Sequence, residues 1–169
     1  VGHDRRARTG VLAGRGGGGA GARADVASSP GGIGADGSRI VFSVGSHGER
    51  DIYLVNPDGS GRTRLTKHSK DDYAPAISPD GRSIAWTSDR SDRNDIWLMT
   101  DEGDGFDEDR AIEVSDQLSA RGNNSKEPAW FPDGRRIAFQ SNDAESADIW
   151  SVDVTDDSRR VPWTADGYW

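Results

Sequence analysis

The chain has 169 residues, a formal charge of −8, no cysteine and 33% apolar residues, a length that suits one domain of ordinary size. No uncharged apolar stretch approaches the roughly 18 residues of a membrane-spanning helix, and the lack of cysteine removes disulfide scaffolds, cysteine-ligated zinc and thiol nucleophiles. Residues 1–31 hold five Arg against Asp4 and Asp25, so the rest of the chain is strongly acidic and would repel a phosphate backbone; no nucleic-acid partner is expected.

Val1 to Gly31 is rich in Gly, Ala and Arg, includes the run Gly16 to Gly19, and shows neither a helical nor a strand period. It is predicted to be a mostly disordered tail. After Arg5-Arg6 only Val11-Leu12-Ala13 precedes the interruption by Gly14 and Arg15, which is too short for the apolar core of a secretory signal.

Residues 32–169 fall into three units. The first runs from Asp36-Gly37-Ser38-Arg39-Ile40-Val41-Phe42 to Asp51-Ile52-Tyr53-Leu54. The second runs from Asp80-Gly81-Arg82-Ser83-Ile84-Ala85-Trp86 to Asp95-Ile96-Trp97-Leu98, and the third from Asp133-Gly134-Arg135-Arg136-Ile137-Ala138-Phe139 to Asp148-Ile149-Trp150-Ser151. In each, the second aspartate follows the glycine by the same interval (37 to 51, 81 to 95, 134 to 148). The short β-branched and aromatic runs predict strands near 39–44, 51–55, 83–88, 95–100, 136–141 and 148–153. Asp-Gly predicts a two-residue hairpin turn, because glycine takes positive φ without a Cβ clash and aspartate tolerates it. Upstream segments 74–79 and 127–132, each with two prolines, and downstream segments 62–66, 111–115 and 160–164 add a strand on either side.

Four short antiparallel strands repeated every 40–50 residues or so describe a propeller blade. The fold class is therefore all-β: a propeller of four-stranded blades with about three present, a partial ring whose terminal blades leave apolar faces that invite self-association.

The phrases Ser78-Pro79-Asp80-Gly81-Arg82-Ser83-Ile84-Ala85-Trp86-Thr87-Ser88-Asp89-Arg90 and Asp95-Ile96-Trp97-Leu98-Met99, with Asn56-Pro57-Asp58-Gly59-Ser60 before Arg64-Leu65-Thr66, resemble the WD40-like repeat of TolB-type β-propellers. The first unit departs from it, with Gly34-Ala35 in place of Ser-Pro. The resemblance implies a six-bladed ring when complete. It also implies one of two roles: a non-catalytic protein-binding scaffold at the periplasm or cell envelope, or the propeller domain of a prolyl-oligopeptidase-like serine peptidase whose catalytic domain lies outside this chain.

The residues themselves point away from catalysis. There is no Gly-x-Ser-x-Gly elbow, and His3, His47 and His68 lie in the tail or in loops, so no triad is in prospect. Asp51, Asp95 and Asp148 are expected to bond neighbouring backbone, and Trp86, Trp97, Trp130, Trp150 and Trp163 to pack between blades. Asp101 to Asp109 holds six carboxylates in nine residues, which suits either a calcium loop or a solvated acidic hairpin. Its order misses the Asp-x-Asp-x-Asp-Gly spacing and favours the hairpin, so no metal or other cofactor is expected.

Alternation of loops along a blade puts the second-to-third strand loops, 45–50, 88–94 and 141–147, on one face with the connections between units. The Asp-Gly turns and the acidic insertion are expected on the other. The charged loop residues Asp89, Arg90, Asp92 and Arg93 are the candidate contacts for a protein partner.

Overall fold

A computed structural model describes residues 28–115, 124–143, 146–155 and 160–162, which form three four-stranded antiparallel sheets. The first contains β1 (Ser28–Ile33), β2 (Ile40–Val44), β3 (Asp51–Val55) and β4 (Thr63–Arg64), paired in chain order. The second contains β5 (Asp72–Ile77), β6 (Ser83–Ser88), β7 (Asp95–Thr100) and β8 (Ile112–Glu113). The third contains β9 (Asn124–Trp130), β10 (Arg136–Asp143), β11 (Ser146–Asp153) and β12 (Arg160–Pro162). Among the described residues the only helical element is a 3-10 turn, Glu108–Arg110, and no helix is long and apolar enough to cross a membrane.

Alternation along each strand decides how the blades stack. Val41 and Ile52 point from one side of the first sheet, and Ile84, Trp86 and Met99 from the facing side of the second. Together with Leu65 they form one buried core, against which Leu54, Trp97, Phe106 and Ala111 pack. Ala85, Ile96, Leu98 and Val114 leave the other side of the second sheet to meet Ile137, Phe139 and Val152 of the third. Trp130 and Trp150 border this second core, while Trp163 lies outside the described residues. The hydrophobic interior is thus two slabs between three blades, which is why β6, covered on both faces, is nearly continuous in apolar or hydroxyl side chains.

Two expectations need correction. The Asp-Gly connections are not two-residue turns. Gly37, Gly81 and Gly134 alone take positive φ (69°, 72° and 67°), and each N–H donates to the carbonyl three residues earlier. Each aspartate instead accepts from a backbone N–H two residues on, Ser38, Arg82 and Arg135 at 2.9, 3.0 and 2.9 Å, so its carboxylate caps a four-residue loop. The second correction concerns the expected tail: β1 starts at Ser28 and includes Gly31 and Gly32. A Cβ on Gly31 would lie 2.3 Å from the Val41 carbonyl oxygen and 2.7 Å from Pro75 Cγ. The glycine-rich composition that reads as disorder therefore permits close approach of β1 to β2 and β5. Residues 1–27 lie outside the described residues.

Candidate functional site

The inner strands β1, β5 and β9 share one irregularity. Register shifts between Pro30 and Ile33, between Tyr73 and Ala76, and opposite Ala138 to Gln140 place a bulge at the same point of each. In β5 and β9 the bulge falls on Ala74 and Glu127, at φ 48° and 57°, each just before a proline. The turned-out Glu127 N–H donates across the blade junction to Thr87 Oγ1 at 3.0 Å. Positive φ is unfavourable for residues with a Cβ, and at Glu127 the bond to Thr87 offsets part of that cost.

These strands line a groove of about 640 Å³ along the ring axis, whose walls include Gly32, Pro75, Ala76, Pro128 and Ala129. Glu127 is the only charged residue among those lining it.

A repeated polar staple frames the loop end of the axis. Asp71, just before β5, accepts from the Arg50 backbone N–H at 2.8 Å and from its guanidinium, while the Asp71 N–H donates to Asp89 Oδ1 at 2.7 Å. One blade on, Asn124 accepts from the Asn94 N–H at 3.1 Å and donates its own N–H to Asn142 Oδ1 at 2.9 Å. Position for position, Arg50, Asp71 and Asp89 become Asn94, Asn124 and Asn142. The first junction is charged and the second neutral, with the same geometry. Tyr73 joins them: its hydroxyl donates to Asn94 Oδ1 at 2.8 Å, and the Arg50 guanidinium lies 4.0 Å from its ring centre. Burial works against ionisation of Asp71, but the Arg50 side-chain and backbone bonds outweigh it and hold the carboxyl below its usual range. Burial pushes the Tyr73 hydroxyl up.

The four candidate contact residues divide. Asp92 stands outward with its side chain 89% exposed, at φ 66°, paired to Lys70 at 2.9 Å. Asp89 is half-buried and belongs to the staple. Arg93 lies 2.9 Å from Asp95 Oδ2 and 3.6 Å from Glu113 Oε1. Arg90 turns inward: its side chain is 9% exposed, bonded to both oxygens of the buried Asp72 and to Glu108, with its guanidinium 4.7 Å from the Trp97 ring centre. The Trp86 indole N–H donates to the same Asp72 carboxylate at 3.0 Å. Arg90 therefore anchors the loop from inside and is not part of its outer surface.

Glu108 shows that the acidic insertion does not stay on the turn face as expected. It begins there, with Asp101 near Arg39 and Arg82, but Phe106 and Ala111 pack on the first core and draw the later half back across the second blade. Glu108 then accepts from the Lys67 N–H at 2.6 Å as well as from Arg90. Within the loop, Arg110 reaches Glu102, Asp104 and Asp107 at 3.3, 2.8 and 3.2 Å, so a guanidinium already sits among the carboxylates. Among the described residues no group of three or more metal-ligating side chains could hold an ion.

Asp51 and Asp95 start the third strands. Asp51 pairs with Arg64 at 2.8 Å, and Asp95 accepts from the Ser115 hydroxyl at 3.0 Å, which in turn accepts from the Ile96 N–H at 2.9 Å. Burial raises the pKa of both. Both therefore bond side chains and not the neighbouring backbone that the sequence led one to expect, although the repeated spacing located them. The groove and the staple went unnoticed in the sequence, although Ala74-Pro75 and Glu127-Pro128, at matching places in two units, were a usable signal.

The family model described as the TolB beta propeller domain matches residues 19–111. A TolB homolog of Chlorobaculum tepidum is 37% identical over 62 residues, 37% of this chain and 14% of that protein. A solved structure of a candidate TolB from Agrobacterium tumefaciens superposes with a TM-score of 0.65 at 23% identity, covering 81% of this chain and 49% of that one. An acylaminoacyl peptidase from Pyrococcus horikoshii gives a TM-score of 0.55 at 18% identity, covering 85% and 26%. The chain spans less than half the length of the curated relatives it matches.

Proposed function

The chain belongs to the TolB beta propeller domain family, and from that premise we propose that it is a non-catalytic scaffold that holds a protein partner over the loop end of its axis, at the bacterial cell envelope. The observation that carries this reading is the contrast along that axis. The Arg50–Asp71 and Asn94–Asn124 staples lock its loop end, and from the bulges toward the Asp-Gly turns the inner strands line an apolar, proline-rich groove whose single charged lining residue is Glu127. Such a surface is rigid before binding, so little ordering cost opposes association. Asp92 and Lys70, with Asp89 and Arg93 behind them, form its charged border. Arg90 fixes the loop from below.

The test is capture from envelope extracts with the wild-type chain, Glu127→Arg and Asp92→Lys. A partner retained by the wild type and lost with both variants, at unchanged circular dichroism, supports the reading. Retention undiminished by either substitution refutes the site, and turnover of peptide esters by the purified chain refutes the non-catalytic assignment.

A second reading has one observation in its favour: the Dipeptidyl-peptidase 5 of Porphyromonas gingivalis is 37% identical over 59 residues. In that reading the same surface docks a hydrolase domain, and an isolated α/β-hydrolase domain is what the wild-type chain would retain.

A further inference from the structure

A second cavity, of about 460 Å³, lies beside the outer strand β4, between residues 64–68 of the first blade and the 3-10 turn of the second. Its volume falls within the range of about 300–1,000 Å³ usual for small-ligand sites. Leu65 and Phe106 give it an apolar component, and the two segments charge it with opposite signs. Arg64, Lys67 and His68 come from one, Asp107, Glu108 and Asp109 from the other.

Hydrogen bonds separate the charges that are already engaged from those that are not. Glu108 accepts at one oxygen from the Lys67 N–H and at the other from Arg90, which ties the two segments together. Arg64 is paired with Asp51, and Asp107 with Arg110. The Lys67 ammonium and the Asp109 carboxylate differ: both are exposed and line the cavity, yet neither is ion-paired with the other or with any other side chain among the described residues. The Lys70 N–H donates to His68 Nδ1 at 3.2 Å, so in the neutral ring Nε2 carries the hydrogen and is the donor left over. The acidic side is in place before any ligand arrives, because Phe106 packs on the first core and the Asp107 carboxylate caps the 3-10 turn.

Charge decides which ligand fits. An anion is repelled by Asp107 and Asp109, a cation by Arg64 and Lys67, and a neutral molecule engages neither of the two unpaired groups. A molecule with an ammonium at one end and a carboxylate at the other meets both, and Leu65 and Phe106 suit an aliphatic side chain between them. We propose that this cavity binds short zwitterionic peptides, their carboxylate on Lys67 and the His68 Nε2–H and their ammonium on Asp109. The site is separate from the axial groove, so its test is independent of the partner assigned to that groove.

The test is a nuclear magnetic resonance titration of the 169-residue chain with glycyl-leucine, beside N-acetyl-glycyl-leucine and glycyl-leucinamide. Two exposed charge pairs give weak binding, so saturation is expected at millimolar concentration, with the shifts concentrated at the backbone amides of 65–68 and 106–109. Acetylation and amidation each remove one charge and should each weaken binding about 2–5-fold. Lys67→Ala and Asp109→Ala, both at exposed positions, should do the same at unchanged circular dichroism. The exchanged double variant, Lys67→Asp with Asp109→Lys, should bind more tightly than either single variant, because a zwitterion can turn end for end. The absence of a saturable shift up to about 20 mM overturns the proposal. A double variant no better than the single ones also overturns it, as does undiminished binding of the two blocked peptides, which would reduce the contact to Leu65 and Phe106.

Discussion

Replacing Arg90 by methionine keeps most of the side chain's volume and removes its charge. The guanidinium makes contacts of 3.0 and 2.8 Å to Asp72 and 3.0 Å to Glu108, and its Nε–H donates to Ser88 Oγ at 3.0 Å. Asp72 is 0% exposed, so after the substitution its carboxylate keeps the Trp86 indole N–H but faces no cation in the interior. Removing one partner of such a buried pair costs about 3–5 kcal/mol, mostly through the charge left behind. With a urea slope of about 2–3 kcal/mol/M, the unfolding midpoint should fall by roughly 1–2 M. Asp92→Ala is the contrast: its pair with Lys70 is solvent-exposed at both ends, and its loss should leave the midpoint nearly unchanged. Adding Asp72→Asn to Arg90→Met should recover part of the loss, since the stranded charge is then gone. A loss below about 1 kcal/mol for Arg90→Met, or a double variant worse than the sum of the two single ones, would refute the buried-pair argument. It would also return Arg90 to the outer surface of its loop.

Gly31→Ala should destabilise by about 1–3 kcal/mol, the usual cost of overpacking, because the new methyl group meets the Val41 carbonyl and the Pro75 ring, neither of which is a flexible side-chain end; an unchanged thermal midpoint would show that β1 does not pack where it is placed. Acidification gives a signed test at Asp80, whose carboxyl is held below its usual range by the Ser78 hydroxyl and the Arg82 backbone N–H. A depressed folded-state pKa means that its contribution is complete above the ordinary carboxylate pKa and disappears as pH falls through the lower folded value. The stability gap between wild type and Asp80→Ala should accordingly shrink from pH 7 to pH 2. A gap that widens would contradict the turn geometry. Asp95 has the opposite sign, since burial raises its pKa, and the gap between wild type and Asp95→Asn should move in favour of the wild type as pH falls through the carboxylate range.

Much of this molecule was legible from its residues. The repeated interval from glycine to aspartate located β2, β3, β6 and β7 to within a residue, because strand positions in a blade follow from local alternation and from turns that only a few residue types make well. The placement of tryptophans between blades followed from the same alternation. Three features were decided at long range. Gly31 and Gly32 belong to a strand because Pro75 and Ile77, some 45 residues later, come too close for a side chain. The axial groove exists because bulges far apart in the chain face one axis. Arg90 and Asp92 are near neighbours in one charged loop and indistinguishable there, yet one is buried and the other 89% exposed. The difference is made by Asp72 and Glu108, each 18 residues away in opposite directions, which converge to neutralise the single guanidinium that they can reach. Local pattern thus determines which segments become strands and how they alternate, whereas the burial of a charge depends on which opposite charges the assembled blades bring within a hydrogen bond of it.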